Sequence, residues 1–156
     1  MALKIGDKAA AVKLSPEPKQ WINLGDQIGK EKIVLLFFPL AFSSVCTKEL
    51  CTMRDDWSKW SKLGAKVYGI SVDSPFVNMK FAKENNLPFP LLSDFNREAS
   101  QAYGVLMDDL IGLKNVSMRS AFVIDRKGKI AYSWVAENPG VEPDYAAVQK
   151  AILGAA

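Results

Sequence analysis

The chain reads as an α/β protein with a mixed central β-sheet, helices on both faces and an N-terminal β-hairpin. Three features predict this. Residues 33–38, Ile-Val-Leu-Leu-Phe-Phe, form an uninterrupted apolar run, the mark of a strand buried on both faces, and residues 66–72 read as a second buried strand. Helix-like stretches alternate with these strands, which requires crossovers and parallel pairing. Residues 120–125 and 129–134 flank Arg126-Lys127-Gly128, a hairpin signal that adds antiparallel pairing.

The elements follow in order. Residues 9–14 and 20–24 lie on either side of Ser15-Pro16-Glu17-Pro18 and suggest the first hairpin. After the 33–38 strand, residues 44–63 read as one helix, with Ser43 or Ser44 as its cap and Gly64 as its end. Asp73-Ser74-Pro75 opens another helix, with an Asp or Ser cap and Pro near the first helical position, running to about Asn86. Residues 87–92 contain Pro88 and Pro90, too many prolines for a central strand, so they form a short edge segment. A short helix over 96–103 and a closing helix over 145–153 complete the order. The arrangement is β-hairpin, then β-α-β-α-β-α, then β-β-α, for which a thioredoxin-like fold with an N-terminal addition is the economical reading.

The 156 residues fit a single domain, 1–156, with one core. Twenty basic and 17 acidic residues give a net charge of +3, and no basic run of the kind used on nucleic acid occurs. The first residues lack a charged region followed by an apolar stretch, so no signal peptide is expected. The longest apolar run is too short to span a bilayer, and a cytoplasmic protein is expected. Two cysteines and no histidine are too few soft ligands for a zinc site, and no Gly-x-Gly-x-x-Gly or other dinucleotide motif is present. No metal or cofactor is expected.

Cys46 is the candidate reactive group. It falls in the first turn of the helix after the apolar strand, where free backbone N–H groups and the helix dipole favour thiolate over thiol. With no histidine in the chain, activation falls to that helix terminus and to Arg or Lys, and the pH profile is expected to carry one thiol ionisation and no imidazole limb. Pro39 ends the strand, supplies no N–H and can wall the sulfur with apolar surface; Ser43, three residues before Cys46, can donate its hydroxyl to an incoming oxygen or to the thiolate. The same spacing also suits a buried inert cysteine with Ser43 as a simple cap.

Further motifs bear on that choice. Pro39-x-x-x-Ser43-x-x-Cys46 resembles the Pro-x-x-x-Thr/Ser-x-x-Cys signature of the peroxiredoxins. Phe37-Phe38-Pro39-Leu40-Ala41-Phe42 and Cys46-Thr47-x-Glu49-Leu50 are similar to that family's active-site strand and helix. Phe89-Pro90-Leu91-Leu92-Ser93-Asp94 with Ala102-Tyr103-Gly104-Val105 resembles its middle section, and Arg119-Ser120-x-Phe122-Val123-Ile124-Asp125-x-x-Gly128 resembles the strand carrying its active-site arginine. Nearly the whole chain is covered. The resemblance is to the alkyl hydroperoxide reductase E type, with the bacterioferritin comigratory type as neighbour. It implies peroxide reduction, with Cys46 as the nucleophile that becomes a sulfenic acid, Ser43 and Arg119 aimed at the developing charge, and Glu49 orienting Arg119. Serine at position 43, where the family normally has threonine, leaves the hydroxyl less confined.

The same resemblance implies that Cys51 is a resolving cysteine that forms a disulfide with Cys46; the alternative is a core-facing Cys51, with an external thiol doing the work. In an intact helix, residues five apart stand about 8.7 Å apart at Cα. A disulfide needs less than about 7 Å. Closure therefore requires local unwinding. Phe38, Leu40, Phe42 and Val45 either line an opening for hydrogen peroxide and organic hydroperoxides or pack in the core. Trp57 and Trp60 are expected to be partly core, with an exposed remainder available to a dimer or a reductant. Expected partners are a hydroperoxide, a thioredoxin, glutaredoxin or mycoredoxin-type reductant, and a second copy of the chain. A disulfide oxidoreductase and a redox-sensing binding protein or holdase are the competing readings; the Cys-x-x-x-x-Cys spacing and Arg119 argue against the first.

Overall fold

The computed structural model describes residues 1–156. A central five-stranded sheet is built from β3 (Lys32–Phe37), β4 (Ala65–Ser71), β5 (Leu91–Ser93), β8 (Ser120–Ile124) and β9 (Ile130–Val135). Its order is β5-β4-β3-β8-β9. The β3–β4 and β4–β5 pairs are parallel, and β3–β8 and β8–β9 are antiparallel, so the sheet is mixed as expected. The Pro-rich segment indeed ends in the edge strand β5. Gly128 turns the β8–β9 hairpin at φ +83°, a conformation glycine adopts without strain.

Five helices surround the sheet: α1 (Ser44–Asp55), α2 (Trp57–Trp60), α3 (Pro75–Glu84), α4 (Glu98–Ala102) and α5 (Tyr145–Gly154). Strand alternation divides the core into two. Ile33, Leu35 and Phe37 of β3 pack with Leu14, Leu24, Ala99 and Tyr103 on one face. Val34, Leu36 and Phe38 pack on the other with Cys46, Leu50 and Met53 of α1, Phe81 of α3 and Val148 and Ile152 of α5. Each such fully buried side chain contributes about 2 kcal/mol.

Several boundaries differ from the sequence reading. The N-terminal hairpin pairs only β1 (Lys13–Leu14) with β2 (Ile22–Asn23), as a separate two-stranded sheet. Ser15 leaves that hairpin to bridge Ser93 on β5. A second small hairpin, β6 (Leu106–Met107) with β7 (Val116–Ser117), was not expected. The helix expected over 44–63 is broken at Asp56, which leaves helical geometry at φ −105° and ψ 18°. Asp55 and Asp56 stand together at a helix C-terminus, where the dipole disfavours acids, and Asp56 Oδ2 accepts from Gln149 Nε2 of α5 at 3.3 Å. The break turns Trp60 fully into the core, 2% exposed, and lays the half-buried Trp57 against Phe89. Little of the Trp57/Trp60 pair is left for a partner. At the start of α3 the expected cap is Ser74, whose hydroxyl accepts from Val77 N, with Pro75 opening the helix.

Candidate active site

Strand β3 delivers the active loop. Beyond Phe37 the chain stays paired for one more residue, with Phe38 N donating to Ile70 O, and then Pro39, buried, ends the ladder. The loop that follows is tied down at Ala41, whose N–H donates to Asp73 Oδ2 at 2.7 Å. Phe42 takes φ +70°, an uncommon conformation for a bulky residue, and its half-exposed ring rests edge-on against Phe81 at 5.0 Å. Ser43 holds the N-cap position, and Cys46 is the third residue of α1, completely buried. The N–H groups of Val45 and Cys46 have no backbone acceptor, as the first turn of a helix dictates.

The β3–β8 register pairs Phe37 with Ser120, which sets Arg119 beside the strand end that carries Pro39. Arg119 is 2% exposed. Its Nη2 donates to Cys46 Sγ at 3.2 Å and its Nη1 to Glu49 Oε1 at 2.7 Å. The carbonyl of Pro139 accepts from both Nε, at 3.3 Å, and Nη2, at 3.0 Å. One planar guanidinium thus joins the cysteine, a buried carboxylate and a backbone carbonyl, a task for which a lysine lacks donors in fixed directions. Burial alone would lower the Arg119 pKa, but the negative charges of Glu49 and Cys46 outweigh it and the pKa is raised. Breaking such a buried pair costs about 3–5 kcal/mol, because the partner left behind is an uncompensated charge.

Glu49 is where the expected orienting carboxylate stands, with a property the sequence did not reveal. Its Oε2 is buried without a hydrogen-bond partner. Burial pushes its pKa up from the usual 4.5 to about 7, against the pull of Arg119 and with a small push from Glu142. A carboxyl of raised pKa therefore stands beside Arg119, so a Glu49 ionisation near neutral pH is expected alongside that of the thiol. Outside this pair lies a second layer. Tyr145 Oη donates to Glu142 Oε1 at 2.6 Å, and Lys48 Nζ stands 3.1 Å from Glu142 Oε2. Burial would raise the Glu142 pKa, but the bonds from Tyr145 and Lys48 hold it below the usual range.

Ser43 does not cap the helix with its side chain. The hydroxyl turns back and donates to Leu40 O at 2.8 Å, while Ser43 O accepts from Thr47 Oγ1 at 2.8 Å. Its exposed hydroxyl remains on the wall of a pocket of about 230 Å³, whose other lining residues include Pro39, Leu40, Val45, Arg119 and Pro139. Of the four apolar residues near the motif, Leu40 and Val45 line this pocket, Phe38 is core and Phe42 lies against Phe81. Leu110 and Ile111 complete the rim. Neither they nor Pro139 were foreseen: Asn138-Pro139-Gly140 signals a turn, but a backbone carbonyl carries no residue signature. Larger pockets lie elsewhere, including one of about 420 Å³ between Trp21, Phe76 and Phe95, with no reactive group in it.

Cys51 lies on the same unbroken helix, so the two α-carbons stand about 8.7 Å apart, and both thiols are free. It is partly buried, and its Sγ donates to Asn85 Oδ1 at 3.5 Å. No group of three or more acidic, histidine or cysteine side chains is placed to hold a metal ion, and no helix is long and apolar enough to cross a membrane.

Comparison with known proteins identifies the family and the fold. The AhpC/TSA family model matches residues 5–133. The chain is 39% identical over 136 residues to a putative peroxiredoxin bcp of Coxiella burnetii, covering 86% of this chain and 89% of that one. It is 34% identical over 136 residues to the peroxiredoxin Bcp of Bacillus subtilis, covering 86% of each. In three dimensions it superposes on the crystal structure of the peroxidoxin BcpB from Mycobacterium tuberculosis with a TM-score of 0.84, at 28% identity and 96% coverage of both chains.

Proposed function

The chain belongs to the AhpC/TSA family and is a thiol-dependent peroxidase, and we propose that its peroxidase chemistry runs through Cys46, with Cys51 as the resolving thiol. The observation that carries this is the Arg119 contact to Cys46 Sγ, 3.2 Å, in a chain that has no histidine.

Cys46 attacks as thiolate. Its sulfur takes the terminal oxygen of the hydroperoxide; the S–O bond forms as the O–O bond breaks, and the departing alkoxide or hydroxide takes a proton to leave as alcohol or water. Negative charge spreads along S···O···O in the transition state. The Arg119 fork and the free N–H groups of the first helical turn are the donors available to that charge, and the Ser43 hydroxyl joins them when it turns away from Leu40 O. The pocket walled by Pro39, Leu40, Val45 and Arg119 accepts hydrogen peroxide or a small organic hydroperoxide, and Arg119 leads from it to the completely buried sulfur. Glu49 positions Arg119. Cys46 sulfenic acid is then attacked by Cys51: the S–S bond forms, the S–O bond breaks, and water leaves. That step requires α1 to unwind, since its intact geometry exceeds disulfide reach. A thioredoxin, glutaredoxin or mycoredoxin-type dithiol supplies the two electrons that reopen the disulfide. Cysteine usage, with two free thiols, favours the cytoplasm. The half-exposed Phe42 beside the active loop supports a homodimer across that edge.

Mass spectrometry after one equivalent of peroxide tests the resolving step. Loss of two hydrogens is expected. Gain of one oxygen that persists would assign resolution to an external thiol instead. Sustained consumption of peroxide with a dithiol donor separates the enzyme from a sensor or holdase, which would consume a single equivalent.

A further inference from the structure

The segment that carries both cysteines is tethered at each end to one unit, the end of β4 and helix α3. On the N-terminal side, Ala41 N donates to Asp73 Oδ2 and Phe42 rests on Phe81. On the C-terminal side, Cys51 Sγ donates to Asn85 Oδ1 and Arg54 Nη1 donates to Asn85 O at 2.7 Å. Asn85 is the C-cap of α3. Its Nδ2 donates to Phe81 O at 2.9 Å, a bond only the amide nitrogen can make, so Oδ1 is left facing Cys51.

We infer that Asn85 is a positioning residue that holds Cys51 away from Cys46 and so sets the rate of disulfide closure. The inference rests on Cys51 being the resolving thiol. Unwinding from the C-terminal end leaves Cys46 and its Arg119 contact in place. Cys46 is completely buried against Arg119, whereas only residues 52–55 lie between Cys51 and the break at Asp56. That last turn ends at the break, where Asp56 N donates to Thr52 O at 3.3 Å before α2 begins at Trp57. Its polar ties beyond the helix run to Asn85, from the thiol and from the Arg54 guanidinium, while Met53 anchors it to the core. Release of both frees the turn to unwind and swing Cys51 inward. The thiol proton held by Asn85 Oδ1 is also the one that must leave before the sulfur attacks.

The test compares wild type, Asn85→Ala, Asn85→Asp and Arg54→Met, each oxidised with one equivalent of hydrogen peroxide. Quenched samples are read by mass spectrometry for sulfenate and disulfide, and hydrogen exchange follows residues 51–55. Sulfenate formation is expected to keep its rate in all four. Loss of the bond that holds the turn, Cys51 Sγ to Asn85 Oδ1 in Asn85→Ala and Arg54 Nη1 to Asn85 O in Arg54→Met, speeds closure about fivefold. Exchange over 51–55 rises with it. Asn85→Asp places a charged acceptor between the thiol and Arg54 and is expected to slow closure. Opposite shifts for Ala and Asp are what a merely structural cap would not produce. Closure at the wild-type rate in Asn85→Ala and Arg54→Met, or slowing in both Ala and Asp, overturns the inference. Should Asn85→Ala fail to fold, the variant at the partly exposed Arg54, Arg54→Met, carries the test. A wild type that accumulates sulfenate and no disulfide removes the resolving role of Cys51, and this inference with it.

Discussion

Cys46 and Cys51 share one helix five residues apart, and their surroundings are opposite. Cys46 is sealed, with a guanidinium on its sulfur and unpaired N–H groups at its end of the helix. Cys51 is partly open, held by a weak bond to a neutral amide toward the C-terminal end of the helix. A nucleophile needs a fixed field; a thiol that must travel needs a loose hold. The helix provides both because its two ends differ: the N-terminus is anchored by Asp73 and Arg119, and the C-terminus stops at Asp56, one turn past Cys51.

The largest effect that bears on this contrast is expected from Arg119→Met. It removes the donor to sulfur and leaves Glu49 buried without its only ion-pair partner. The rate of sulfenate formation should fall about 10²–10³-fold, as when a transition-state donor is lost. Rapid-mixing fluorescence reads this directly. If the rate falls less than about tenfold, the guanidinium is not the principal stabiliser.

Next in size is Glu49. In the folded chain its carboxyl holds a proton up to about pH 7, while in the unfolded chain it ionises near 4.5. The folded state therefore binds more protons between those values, and stability falls as pH rises through that window, by up to about 3 kcal/mol. Below pH 4.5 the contribution is fully present; above 7 it is lost. Glu49→Gln keeps an acceptor for Arg119 and removes the titration. Urea unfolding at pH 5 and pH 7.5 should show a smaller pH dependence in Glu49→Gln than in wild type. Equal slopes would contradict a buried carboxyl of raised pKa.

The architecture of the site was legible because its parts are chemical types at fixed spacings. Pro39, Ser43 and Cys46 lie within eight residues, and Arg119 precedes an apolar strand whose register with β3 returns it to Pro39. Glu49 stands against Arg119 as the resemblance implied, but its pKa depends on burial and on an unpartnered Oε2, which arise only in three dimensions. The break at Asp56 was hidden because Trp57 and Trp60 continue the apolar period of the helix. Ser43 was expected to cap, yet its side chain prefers the nearer carbonyl of Leu40, a choice between two local bonds that spacing cannot make. The hairpin of β6 and β7 has strands of two residues each, too short for periodicity to register.

The smallest effect is expected at Ser43. Ser43→Thr adds a methyl that restricts the hydroxyl on the pocket wall, and the rate of sulfenate formation should rise about twofold. A drop of tenfold would mean that the methyl instead blocks the entry beside Val45.

The division of labour between the two cysteines is tested most directly by stopped-flow tryptophan fluorescence with peroxide, in wild type, Cys46→Ser and Cys51→Ser. Cys46→Ser should be silent. Cys51→Ser should keep the fast phase within about twofold and lose the slower one that reports unwinding and closure. A fast phase that survives in Cys46→Ser, or disappears in Cys51→Ser, would contradict the assignment of nucleophile and resolver.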